Sequence, residues 1–172
     1  EETTHFNIVD SEGNAVSITT TLNNSYGSRV FVSGAGFILN DEMDDFSVKP
    51  GVPNIYGLVG GKANAIEPNK RMLSSMTPTI VEKDGKLFMV VGTPGGSTIM
   101  TSVFQTIVNV IDYQQNAQQS VSSPRFHHQW LPDQIDVEKN AITPKVRKSL
   151  ENAGYKISPR GNIGRVENII IL

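Results

Sequence analysis

The sequence contains no cysteine, which removes disulfides, a thiolate nucleophile and Cys-ligated zinc together. Charge of one sign is equally scarce. The net charge is -2 and no run of like charges occurs, so the electrostatic footprint of a nucleic-acid binder is missing. No stretch is long and apolar enough to cross a bilayer, and no secretory signal pattern marks the first residues. Histidine is limited to His5, His127 and His128. Neighbouring residues on a strand face opposite ways and no further ligand stands at metal spacing, so neither a metal nor a cofactor is expected. There is no G-x-S-x-G elbow to support a serine triad. No internal repeat is visible.

What is present is an ordinary globular composition, 172 residues of which 38% are hydrophobic, enough for one domain with a real core. "HFNIVD" and "AVSITTTL" flank the turn "SEGN" and predict a hairpin. "GFIL" (36–39) predicts a short strand before the acidic knot "NDEMDDF" (40–46). From Lys49 to Asn69 neither period 2 nor period 3.6 is present. Such a segment is a lid, a binding loop or a flexible linker; Ile55, Tyr56, Leu58 and Val59 make it more apolar than linkers usually are.

"TIVEKDGKLFMVVG" predicts two strands around an Asp-Gly turn, leading through "TPGGS" into a helix over 97–113. Ile99, Val103, Ile107, Val110 and Ile111 form its apolar stripe. A short helix stopped by Pro124, a strand at "QIDVEK", a helix with Thr143 as N-cap, Pro144 at its first position and Gly154 near its C-cap, and two further strands complete the pattern. Strands dominate early and helices late, which predicts an α+β layered sandwich. "VENIIIL" is an apolar run reaching the last residue, and we read the sequence as a piece of a longer chain.

The doubled threonine at Thr3 and Thr4 suggests a nucleophile that carries its own base. An α-amine with pKa near ~8 is partly neutral at physiological pH and lies within reach of the hydroxyl of the same residue. The chemistry requires that residue to begin its chain, and the strand that follows at once would fix it rigidly. "TPGGS" offers converging backbone N–H groups for an oxyanion, "LSSM" (73–76) two hydroxyls, and "MDDF" a carboxylate pair for an ammonium group.

"TTHFNIVDSEGNAVSITTTLNNSYGS", "GFILNDEMDDFS", "PGVPNIYGLVGG", "PNKRMLSSMTPTIV", "GTPGGS" and "SPRFHHQWLPD" resemble, in order and spacing, the small subunit of γ-glutamyltranspeptidases, over nearly the whole chain. The resemblance implies the αββα sandwich of the N-terminal nucleophile hydrolases. It implies a precursor that cuts itself between Glu2 and Thr3, and a large subunit as partner. Glu1 and Glu2 would then be the residual end of that large subunit, residues 1–172 the small C-terminal subunit with its C-terminal boundary open, and residues 47–69 a lid. Thr3 would attack γ-glutamyl amides such as glutathione, and the resulting ester would pass to water or to an amino acid or dipeptide.

By the same resemblance, Thr21 would orient Thr3, and Asn23, Glu42 and Asp45 would bind the donor's α-amino end. Ser74 and Ser75 would take its α-carboxylate, Gly95 and Gly96 would form the oxyanion hole, and Tyr56 would close over the site by bonding Asn23. Asp45 with the two serines favours a γ-glutamyl group over the acyl groups of cephalosporin acylases or capsule depolymerases of the same superfamily. A non-catalytic γ-glutamyl-binding homologue or fragment is the remaining alternative, because Glu1 and Glu2 still block the amine of Thr3. Family members in bacteria imply a periplasmic or secreted protein.

Overall fold

The computed structural model describes residues 3–172, so Glu1 and Glu2, the expected residue of a preceding subunit, lie outside the described residues. Strands β1 (Thr3–Val9) and β2 (Ala15–Thr21) form the expected antiparallel hairpin. Its turn is closed by the Asp10 carboxylate, which accepts from the backbone N–H groups of Glu12 and Asn14. Next come the two-residue strands β3 (Phe31–Val32) and β4 (Phe37–Ile38), paired with each other. The strand predicted at 36–39 is therefore only two residues long, and its partner sits in the Gly-rich passage before it.

β5 (Thr79–Lys83) and β6 (Lys86–Gly92) form the second hairpin. After it come α1 (Ile99–Ile111), α2 (Ala117–Ser122), β7 (Phe126–His127), β8 (Ile135–Val137), α3 (Pro144–Asn152), β9 (Ile157–Pro159) and β10 (Glu167–Ile170). Thr143 caps α3 by accepting from Val146 N–H, and Pro144 opens the helix, as the sequence predicts. β10 joins β6 and β5 in one antiparallel sheet. In the smaller sheet β7-β8-β9, β8 and β9 run parallel.

The layers follow from side-chain alternation along β6. Met89 and Val91 pack with Val103 and Val110 of α1 and with Val166, forming the apolar core. Gly92, one position on, faces the other way. A Cβ placed there would lie 2.1 Å from Cε1 of the buried His5, so only glycine lets the β1-β2 hairpin approach this sheet so closely. The described chain thus holds a helix layer and two stacked sheets.

The interior of the hairpin is polar. Register pairs on its inner face are Thr3 with Thr21, His5 with Thr19 and Asn7 with Ser17. His5 Nδ1 meets Thr19 Oγ1 at 2.8 Å, His5 Nε2 meets Asn7 Oδ1 at 2.9 Å, and Asn7 Nδ2 donates to the carbonyl of Glu167 at 3.0 Å. Phe6, Ile8, Val16 and Ile18 point outward and are exposed. The alternation predicted from the sequence is real, but its apolar side is not the side buried within this chain.

Helix α1 shows one departure of the same kind. Ile99, Val103 and Val110 are buried, whereas Ile111 is 51% exposed. At 3.6 residues per turn Ile111 lies roughly 120° round from Ile99, off the inward stripe. Ser102 and Thr106 occupy that stripe instead and are fully buried, with Thr106 Oγ1 donating to the Ser102 carbonyl at 2.9 Å.

Segment 47–69 is bonded across itself rather than strung out as a linker. Gly51 N–H donates to Gly60 O and Asn54 N–H to Leu58 O, both at 2.9 Å. The Asn54 side chain accepts from the N–H groups of Tyr56 and Leu58, each at 3.0 Å. These Asx bonds carry the backbone through a turn that neither helix nor strand periodicity would reveal.

Candidate active site

The register of the first hairpin places Thr3 opposite Thr21 at its open end. Thr3 Oγ1 donates to Thr21 Oγ1 at 3.0 Å, and Thr21 Oγ1 also accepts from the N–H of Asn23 at 2.9 Å. Asn23 can end the strand in this way because it adopts φ +70°, a left-handed conformation that asparagine tolerates better than most residues. Its own amide donates to the Asp41 carbonyl at 3.4 Å. One turn thereby fixes the nucleophile candidate, its hydroxyl partner and the next polar side chain.

These residues open into a cleft of about 560 Å³. Thr3, Thr21 and Asn23 line one part of it, Asp45, Ser74 and Ser75 another, and Tyr56 and Gly96 a third. Glu42 and Gly95 do not line it. Long-range hydrogen bonds assemble the second part. Ser75 Oγ donates to Asp45 Oδ2 at 3.1 Å, joining a short 3₁₀ turn (Glu42–Asp45) to the stretch before β5. Asn64 clamps both: its Nδ2 donates to the Asp45 carbonyl at 2.7 Å and its Oδ1 accepts from Leu73 N–H at 3.0 Å. Ser74 is turned locally, its Oγ lying 3.3 Å from the Met76 carbonyl.

The acidic turn carries more negative charge than its surroundings neutralise. Desolvation pushes the Glu42 carboxyl up to about 7, and the neighbouring charges of Asp45 and Asp41 add to the rise. Glu42 Oε1 is buried without a hydrogen-bond partner. Desolvation also raises Asp45, against the lowering effect of the Ser75 hydroxyl. Two half-buried carboxylates held this close favour either a shared proton or a cation between them and the cleft.

Opposite lies the turn between β6 and α1. Gly95 (φ +152°) and Gly96 (φ +56°) both take conformations that disfavour side chains. A Cβ on Gly95 would lie 2.8 Å from Thr98 Oγ1, and one on Gly96 would lie 3.0 Å from Cε1 of Tyr56. Thr98 Oγ1 donates to the Gly95 carbonyl at 2.8 Å, locking the turn. The first N–H groups of a helical turn have no intrahelical acceptor, so those of Gly95 and Gly96 can serve an anion.

Tyr56 spans the cleft. Its ring lies over Gly96, and its hydroxyl is 3.5 Å from Asn23 Oδ1. His127, Gln129, Asn54 and Asn64 belong to the same neighbourhood, and the sequence assigns a site role to none of the four. The "SPRFHHQWLPD" string contains the first two. Among the described residues no cluster of three or more His, Asp or Glu side chains could hold a metal ion.

Comparison with known proteins identifies the family of the chain. The gamma-glutamyltranspeptidase family model matches residues 1–172. The glutathione hydrolase proenzyme of Escherichia coli is 53% identical over 170 residues, covering 99% of this chain and 29% of that protein. The glutathione hydrolase proenzyme of Pseudomonas aeruginosa is 55% identical over 171 residues, covering 98% of this chain and 31% of that protein. The crystal structure of a mutant Helicobacter pylori gamma-glutamyltranspeptidase superposes with a TM-score of 0.93 at 57% identity, covering 98% of this chain and 91% of that chain. The present chain therefore spans about a third or less of the length of these two proenzymes. With the family pattern running from its first residue to its last, the chain belongs to the gamma-glutamyltranspeptidase family.

Proposed function

We propose that this chain is the small catalytic part of a γ-glutamyl acyl-transfer enzyme, released when a precursor is cut between Glu2 and Thr3. The observation that carries the reading is the Thr3 hydroxyl, held 3.0 Å from Thr21 Oγ1 at the wall of a cleft that also contains Asp45, Ser75 and Gly96. Cleavage frees the α-amine of Thr3. That amine takes the proton of the Thr3 hydroxyl as Oγ1 bonds to the γ-carbonyl carbon of the donor. The oxyanion formed is met by the N–H groups of Gly95 and Gly96. Collapse breaks the carbon–nitrogen bond, and the departing amine leaves with the proton held on the Thr3 ammonium. Water, or the amine of an amino acid or dipeptide, then attacks the threonyl ester with the α-amine again as base.

The donor's α-ammonium is assigned to Asp45, with Glu42 behind it, and its α-carboxylate to Ser74 and Ser75. Asn23 lies where it can reach the donor's amino end. Residues 47–69 act as a lid over the acyl-enzyme, with Tyr56 as its tip.

The partner is the large subunit of the same precursor, which supplies the missing outer layer of the sandwich. Two observations support it. The relatives from Escherichia coli and Pseudomonas aeruginosa are named proenzymes and are more than three times the length of this chain. Phe6, Ile8, Val16 and Ile18 present an exposed apolar face among the described residues. No helix among the described residues is long and apolar enough to cross a membrane. The periplasm or the exterior is the compartment we assign, on family grounds.

Mass spectrometry of the full precursor tests the central step. Scission before Thr3 in the wild type and none in Thr3→Ala, together with release of a chromogenic amine from a γ-glutamyl anilide, is expected. An uncut precursor that turns the anilide over normally would sink the proposal.

A further inference from the structure

The hydroxyl of Tyr56 lies 3.5 Å from Asn23 Oδ1, at the limit of a hydrogen bond. The main chain of Tyr56 is bonded at shorter range. Gln129 Nε2 donates to the Tyr56 carbonyl at 2.7 Å and to the Leu131 carbonyl at 3.0 Å. With both amide hydrogens committed to carbonyls, the side chain must present Oε1 to its remaining neighbour, Nε2 of His127, at 2.8 Å. Two acceptors cannot face each other, so the proton of the ring sits on Nε2. The other ring nitrogen, Nδ1, lies 2.8 Å from the hydroxyl oxygen of Thr101 on the first turn of α1.

His127 is only 4% exposed, so this line of bonds is sheltered from water along most of its length. The loop lies flat on its support as well. A Cβ at Gly57 would come within 3.4 Å of Pro132 Cδ and 3.6 Å of Gln129 Nε2.

We propose that Gln129, oriented by His127 and through it by Thr101, is the seat on which the Tyr56 lid pivots. The phenol end makes and breaks its contact with Asn23, while the carbonyl end stays fixed to helix α1. Gln129 and His127 are positioning residues that act on the loop through the Tyr56 carbonyl. The inference deepens the acyl-transfer reading and rests on it for its functional consequence. Its structural content does not depend on turnover.

The experiment uses the full precursor, expressed and processed, with Gln129→Leu and His127→Phe, which keep side-chain bulk but remove the donors. Amide hydrogen exchange across residues 55–59 is expected to quicken at least ~10-fold in both variants, with α3 unchanged. The ratio of transfer to hydrolysis is expected to move as it does in Tyr56→Ala, and Tyr56→Ala combined with Gln129→Leu to move it no further, because both act on one element. Unaltered exchange across 55–59 in Gln129→Leu overturns the seat, as does a full additive effect in the double variant. Should His127→Phe fail to fold, half-buried Gln129 decides the matter alone. Wild-type enzyme with no γ-glutamyl turnover, yet with exchange that rises in Gln129→Leu, sinks the acyl-transfer reading and leaves the seat standing.

Discussion

Thr3 and Thr21 are register partners across one hairpin, and their hydroxyl oxygens lie 3.0 Å apart. The pair is the last rung of a polar ladder that continues through His5–Thr19 and Asn7–Ser17. A chain that begins catalysis at Thr3 needs its first residues held still, and terminal residues ordinarily fray. The ladder resolves that conflict, because His5 anchors the strand against Gly92 two residues after the proposed nucleophile.

Thr21→Val removes the hydroxyl that receives Thr3 Oγ1 and keeps the volume. Loss of one hydrogen bond that orients the nucleophile should lower kcat by ~10-fold, about 1.4 kcal/mol of barrier. The donor KM should change little, since Thr21 does not bind the donor in the proposed scheme. Steady-state kinetics with a γ-glutamyl anilide separates the two parameters, and a raised KM at constant kcat would contradict the assignment.

Tyr56→Phe removes the hydroxyl that lies 3.5 Å from Asn23 Oδ1. Because that bond is long, hydrolysis should be nearly unchanged while the share of transfer to an added dipeptide shifts by a few-fold, on the order of ~1 kcal/mol. Product analysis with and without acceptor measures it. An identical product ratio would show that the phenol does not gate acceptor entry.

Glu42 supplies a pH dependence. Its folded-state pKa, about 7, lies above the ordinary glutamate value of 4.5, so the folded protein holds this proton more tightly than the unfolded chain. The contribution to stability is full below the unfolded value and is lost as pH rises through about 7. Glu42→Gln should therefore flatten the decline of the melting temperature over that interval. A bound α-ammonium favours the ionised carboxylate, so the donor KM should fall as the pH rises through the same range in the wild type, and Glu42→Gln should abolish that limb. A KM profile that keeps its limb in Glu42→Gln would assign the titration elsewhere.

Gly92→Ala forces a methyl group into the His5 ring, where 2.1 Å is available. Overpacking of this kind costs about 1–3 kcal/mol. Because His5 holds the strand that carries Thr3, kcat should fall along with the melting temperature, as calorimetry and kinetics on one preparation would show. Unaltered activity at reduced stability would detach the ladder from catalysis.

Much of this protein is written locally. The Asp10 turn, the Thr143 cap and the left-handed glycines follow from contacts within about four residues, and such contacts are what sequence patterns encode. The six separated strings that mark the family are read directly as well. The sequence could not show which side of an alternating strand is buried in this chain. Phe6 and Ile8 alternate with His5 and Asn7 whichever way the hairpin packs, and only the stacking of His5 on Gly92 decides that the polar side faces in. Nor could it join Ser75 to Asp45, Asn64 to both, or Gln129 to Tyr56 across 73 positions. Those bonds form because packing of the sheets and α1 brings distant backbone within a side chain's reach, and no local rule carries that distance.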